Sequence, residues 1–136
     1  MTYEMVNVLI EKSEADLKAL WGQMAEVHKQ RSALKEGTTF DEEKSVRWNR
    51  EELDRRKRSL AGKYGSLQKK CNDVENKVRE AIIQYLRDEW GFTEQVAIAV
   101  YGKAYEEGHS GGFYEILAEA QCFAEFADKV IDAYNS

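Results

Sequence analysis

Between Val46 and Ala81 an apolar residue recurs at every seventh position, as Val46, Leu53, Leu60, Leu67, Val74 and Ala81. Seven residues close on two turns of α-helix to within about 20°, so a repeat of this kind holds one helical face against a partner helix. It predicts a single long helix. The chain of 136 residues contains no proline, the residue that most strongly breaks a helix interior, and 33% of its residues are charged. The fold class that follows is all-α.

A first helix is expected from Tyr3 to Lys35, because Tyr3, Val6, Ile10, Ser13, Leu17, Leu20, Met24, Val27, Arg31 and Leu34 alternate three and four residues apart. Gly37 suits a helix end and Thr39 with Glu42 fits a capping box, which leaves a loop of only Glu36 to Thr39. So short a connection makes the helices antiparallel. Folding about Thr38 pairs Ile10 with Leu67, Leu17 with Leu60 and Met24 with Leu53. The adjoining row of the second helix reads Arg50, Lys57, Tyr64, Cys71, Val78 and Tyr85, polar toward the loop and apolar toward the far end.

The second helix is predicted from Phe40 to Trp90, about 75 Å long, and it outruns the first by roughly four turns. Its overhang, with Val78, Ile82, Ile83, Tyr85, Leu86 and Trp90, needs cover from the rest of the chain or from another subunit. Gly62 and Gly65 interrupt its helix-forming residues and mark either a close helix contact or a bend or break. Gly91 ends it, Thr93 caps a third helix whose run Val96 to Tyr101 predicts burial on most sides, and a fourth helix spans Phe113 to Tyr134. The expected architecture is a long antiparallel, coiled-coil-like helical hairpin with two short C-terminal helices packed at its base. It is one domain, 1–136, made of a hairpin over 1–90 and a helical head over 91–136.

No apolar run is long enough to span a bilayer, and the first residues lack the basic start of a secretory signal, so the expected location is the cytoplasm. In that compartment Cys71 and Cys122, both on apolar helix faces, are expected to be free thiols. Charge is uneven. Residues 1–45 net −3, residues 46–90 net +4 and residues 91–136 net −6, which makes a basic arm and an acidic head.

The basic arm supplies the first candidate site, Arg47, Trp48, Arg55, Arg56, Arg58 and Lys63, able to neutralise phosphates or an acidic protein surface. Glu51, Glu52 and Asp54 interleave it, as they would on a solvated helix face. The second candidate is Gly108, His109, Ser110 and Gly112, just before the N-terminus of the fourth helix, where unpaired amides favour an anion or a nucleotide phosphate. A plain turn capped by Ser110 accounts for the same residues. His28 and His109 stand far apart in sequence and match no metal-ligand spacing, and no nucleophile–base–acid set is specified. The expectation is therefore no metal, no cofactor and no catalysis. Trp21 and Trp48 flank the seams, where burial beside the seam is the plain reading and anchoring of a partner the functional one.

The segment from Ala104 to Glu115, Ala-Tyr-Glu-Glu-Gly-His-Ser-Gly-Gly-Phe-Tyr-Glu, resembles a turn between short helices in small uncharacterised bacteriophage accessory proteins. The resemblance covers about 30 residues and carries over Gly108, His109 and Gly112. It implies a phage-encoded accessory protein that binds and inhibits, or adapts, a host enzyme or defence complex. The expected function is accordingly non-enzymatic protein–protein interaction with a host or phage protein. A nucleic-acid-associated protein using 47–70 and a small-anion or nucleotide binder at 108–113 are the alternatives. A homodimer through the uncovered end of the second helix is a further expectation.

Overall fold

A computed structural model of the chain describes residues 1–35, 46–108 and 111–136. Five helices are present among them: α1 (Tyr3–Lys35), α2 (Val46–Trp90), α3 (Glu94–Gly108), α4 (Phe113–Ala124) and α5 (Ala127–Asn135). The fold is the expected all-α one, an antiparallel hairpin of α1 and α2 with short C-terminal helices packed at its base. The Glu36–Thr39 loop, the Gly37 and Thr39–Glu42 end signals and the first turns expected from Phe40 lie outside the described residues. Within the chain two compact units are distinguished. One comprises Met1–Ala15 with Val74–Ser136, the other Asp16–Asp73.

In the first unit Val6 and Ile10 of α1 and Val78, Ile82, Tyr85 and Leu86 of α2 share a core with Ala97, Val100 and Ala104 of α3. Ile116, Leu117 and Ala120 of α4 and Val130 of α5 complete it. Ile10, Ile82, Leu86 and Leu117 are fully enclosed, and burial of each such side chain is worth about 1.5–3 kcal/mol. The end of α2 therefore does not overhang: the start of α1 and the short helices cover it. The Tyr3 and Tyr85 rings meet edge to face with centroids 6.0 Å apart. This removes the uncovered apolar end on which homodimer pairing through α2 was expected.

In the second unit Val27 and Leu34 pack with Leu60 and Leu67, flanked by Leu20, Met24, Leu53 and Tyr64. The register differs from the expected one. The Cys71 thiol donates to the Met24 sulfur at 3.8 Å, and Ile10 sits in the cluster of Val78 and Ile82 instead of beside Leu67. Met24 thus meets a residue 18 positions beyond the expected Leu53, on the adjoining row, because a seven-residue repeat does not say which turn of one helix lies opposite which turn of the other. The assumed loop length had fixed the choice, and described α2 starts only at Val46.

Several local expectations resolve cleanly. α2 is continuous through Gly62 and Gly65, and a Cβ built at either meets nothing within 4 Å, so neither a break nor a close helix contact explains them. Gly91 has φ +67, the left-handed conformation that ends α2, and the Thr93 hydroxyl accepts from the Val96 amide at 3.3 Å to cap α3. The predicted fourth helix is two. It breaks at Phe126 (φ −121, ψ 36), whose amide turns back to the Phe123 carbonyl at 3.0 Å, so three short helices follow the hairpin instead of two. No glycine or proline marks that break in the sequence. It lets α4 and α5 each pack on α3.

Candidate interaction surfaces

The Asp16–Asp73 unit carries the basic arm. From Arg55 to Asn72 there are seven lysines and arginines and no carboxylate. At its start, Glu52 accepts from Arg55 Nη2 at 2.6 Å and from Arg56 Nε at 3.0 Å. Those two hydrogen bonds, led by the one from Arg55, hold the Glu52 carboxyl well below its ordinary value, at about 2. Two of the predicted site arginines are thus committed to an internal ion pair, and Arg58 Nε donates to the Asp54 carbonyl at 3.4 Å. Lys63 is exposed. The side chains of Arg47 and Trp48 lie outside those described.

Sequence reasoning missed what lies beside this arm. Trp21, Met24, Ala25 and His28 of α1 and Tyr64 of α2 line an open groove of about 410 Å³. Trp21 is not buried beside its seam as expected; it is 55% exposed. The groove exists because Ala25 is small between two larger side chains of α1 and because Tyr64, half-buried, forms the opposite wall. Its signal in the sequence is the pair Trp21 and His28, seven residues apart and hence on one side of α1. The five lining side chains include no carboxylate, and Lys18 and Lys57 stand three and seven residues before Trp21 and Tyr64 on the same helices.

The predicted turn site is positioned by the end of α3 and the start of α4. Gly108 is the buried last residue of α3, and its carbonyl accepts the Gly111 amide at 2.9 Å. Gly112, extended at φ −81 and ψ −177, occupies the cap position of α4, where Ser110 had been expected, with no side-chain cap bond. His109 and Ser110 lie outside the described residues. Carboxylates crowd this helix start: a Cβ on Gly111 would fall 1.3 Å from Glu115 Oε2, and one on Gly112 would lie 3.1 Å from Glu14 Oε1. The positive end of the α4 dipole is therefore already faced by the protein's own negative charge, which opposes an anionic ligand. Nearby, the Tyr114 hydroxyl donates to the Asn7 carbonyl at 3.4 Å, and partial burial followed by the Glu11 carboxylate raises its pKa.

A second surface escaped the sequence reading because the run Val96 to Tyr101 was expected to be buried on most sides. Ala97, Val100, Tyr101 and Ala104 do face the core, but Ile98 is 40% and Tyr105 54% exposed. With Gly102 between them these residues form a stripe at i, i+4 and i+7 along α3. Glu94 and Glu106 bracket the stripe, with Lys103 Nζ 3.8 Å from Glu106. Tyr101 anchors the stripe from below: burial raises its phenol pKa, and the Arg79 guanidinium lies 5.7 Å from its ring centroid.

Among the described residues no group of three or more His, Cys, Asp and Glu side chains is arranged to hold a metal ion. No helix of the described residues is long and apolar enough to cross a membrane. Neither cysteine forms a disulfide; Cys71 is buried and Cys122 exposed, so Cys122 does not lie on a buried face as expected. The described residues form an all-α hairpin with short C-terminal helices, in which the Asp16–Asp73 unit is net basic and the other unit net acidic. Comparison with protein-family models, curated proteins and solved structures returns no match.

Proposed function

We propose that the protein is a non-enzymatic protein–protein interaction protein that presents the α3 stripe to a partner. The observation that carries this reading is Ile98 and Tyr105, large apolar side chains left uncovered on a short helix at the spacing with which helices dock into apolar grooves. Their setting supports a particular partner chemistry. The unit that contains them has 15 acidic and six basic residues, so it favours an apolar groove rimmed by lysine or arginine. The resemblance of the 104–115 segment to phage accessory proteins extends the proposal to a host enzyme or defence complex as the target, inhibited or bridged by contact. The test is capture from a bacterial lysate with the wild type and with the double variant Ile98→Ala, Tyr105→Ala. A partner retained by the wild type and lost by the variant is the expected result; equal recovery, or none, rejects the reading.

A nucleic-acid role is favoured by one observation, the carboxylate-free stretch from Arg55 to Asn72. Its test is fluorescence polarisation on labelled single- and double-stranded oligonucleotides at low salt. Affinity that falls steeply with salt and with Arg55, Arg56 and Arg58 changed to alanine supports it, and no binding at low salt removes it.

A further inference from the structure

We infer that the groove at Trp21 and Tyr64 receives the α3 stripe of a second copy of this chain, so that the protein associates with itself through two unlike surfaces. The inference rests on the α3 stripe being a protein-binding face, as proposed above, and adds what occupies the groove. The argument is complementarity, in shape class and in charge. The groove is open, about 410 Å³, and lined by Trp21, Met24, Ala25, His28 and Tyr64. The stripe is convex and offers two large apolar side chains, Ile98 and Tyr105, with only Gly102 between, so the partner's backbone can approach closely.

The charges match in the same sense. The lining of the groove includes no carboxylate, and Lys18 and Lys57 stand three and seven residues before Trp21 and Tyr64 on the same helices, while the stripe is bracketed by Glu94 and by Glu106, which pairs with Lys103. The larger surroundings repeat the pattern. The unit that contains the groove has 14 basic and 10 acidic residues, and the unit that contains the stripe has 15 acidic and six basic. Two copies therefore attract where groove meets stripe and repel where like units meet, which fixes the pairing as unlike on unlike. Such a contact joins the groove of one copy to the stripe of the next, so each copy carries both halves of the interaction. A single helical stripe in a shallow groove buries less than the roughly 1,200–2,000 Å² of a standard stable interface, so the association is read over a wide concentration range.

Sedimentation equilibrium of the full chain, across a dilution series reaching on the order of 100 μM, reads this directly. The expected result is a weight-average mass that rises above that of the monomer with concentration at low salt and returns to the monomer at high salt, because exposed charges are screened. Trp21→Ala and Tyr105→Ala are each monomeric, with unchanged far-ultraviolet circular dichroism. Mixed in equal amounts they form one-to-one complexes, since one variant keeps its stripe and the other its groove. Lys57→Glu and Glu106→Lys behave likewise, each weakening association alone and recovering it when mixed. A monomer under all conditions overturns the inference, as does association that survives both alanine variants or a mixture that stays monomeric. A monomer that still captures a foreign protein through Ile98 and Tyr105 overturns only the self-contact and leaves the proposed function standing. Binding of labelled oligothymidylate or of an acidic peptide to a monomer, lost in Trp21→Ala, assigns the groove to that ligand instead and overturns the second copy as occupant.

Discussion

Gly62 and Gly65 lie in the middle of a 45-residue helix, and Gly22 in the middle of a 33-residue one, all three in the Asp16–Asp73 unit. None has positive φ, and a Cβ at each would meet nothing within 4 Å. Replacing them with alanine therefore adds a methyl group to open space and removes backbone freedom from the unfolded chain, with no clash to offset the gain. Glycine costs about 0.8–1 kcal/mol relative to alanine at an exposed helical position, so each single change should stabilise by about that much and the triple variant by about 2.5–3 kcal/mol. Gly22 stands on the other helix, whereas Gly62 and Gly65 lie one turn apart on α2, so the Gly62–Gly65 pair is where any departure from additivity should show. For a chain of this length the triple change corresponds to a rise of roughly 10 °C in Tm. Gly91 supplies the internal control. Its φ of +67 suits glycine alone, so Gly91→Ala should destabilise by about 1 kcal/mol, the same substitution with the opposite sign. Urea unfolding followed by far-ultraviolet circular dichroism measures all four. Loss of stability in Gly62→Ala or Gly65→Ala would refute the reasoning, because it would mean that α2 needs glycine there for a bend or a close approach that the open space around both residues denies.

Other consequences are as direct. Ile10→Ala and Leu86→Ala remove fully enclosed side chains and should each cost about 2–5 kcal/mol, whereas Val8→Ala, at a position 66% exposed, should change stability by less than about 0.5 kcal/mol in the same urea assay. Cys122 should react with a thiol reagent at the rate of an exposed cysteine while Cys71, buried against Met24, reacts only at the rate of unfolding; two equally fast thiols would contradict that placement. Glu52 has a depressed pKa in the folded chain, so its contribution to stability is present above its ordinary value of 4.5 and is lost as pH falls toward about 2. Glu52→Gln should accordingly flatten the acid limb of the stability profile in that window, and an unchanged limb would show that the pair with Arg55 and Arg56 contributes nothing.

The hydrophobic rows read from the sequence recur in the structure as buried seams, since Leu60, Leu67 and Ala81 are buried on α2 and Val6, Ile10, Leu17, Val27 and Leu34 on α1. What the rows could not supply was register. A heptad repeat is the same at every seventh residue, so it states which face is buried and not which turn lies opposite which; that depends on where the chain reverses. The break at Phe126 was hidden for a different reason. Nothing in Ala124, Glu125, Phe126 and Ala127 disfavours helix locally, and the turn is imposed by the packing of α4 and α5 on α3. Caps carried by a side chain or a positive φ, at Thr93 and Gly91, were legible because their chemistry is local.

The candidate surfaces divide along the same line. Arg55, Arg56 and Arg58 are visible in any reading of composition, yet two of them spend their charge on Glu52, so the density of basic residues overstated what the arm offers to a partner. Trp21 and Tyr105 are inconspicuous in composition, since each is one aromatic residue beside an apolar row, and their exposure depends on which side of the row faces the neighbouring helix. Charge shows through the sequence because it accumulates residue by residue; an uncovered apolar side chain is a property of packing. A binding surface needs both, charge to bias encounter and apolar area to hold it. The groove of one unit and the stripe of the other each combine the two with opposite sign. If association follows charge alone, Lys57→Glu should weaken it as much as Trp21→Ala at low salt and both effects should vanish at high salt. If apolar fit holds the contact, Trp21→Ala stays the larger loss at every salt concentration, and that ordering is the one these exposures require.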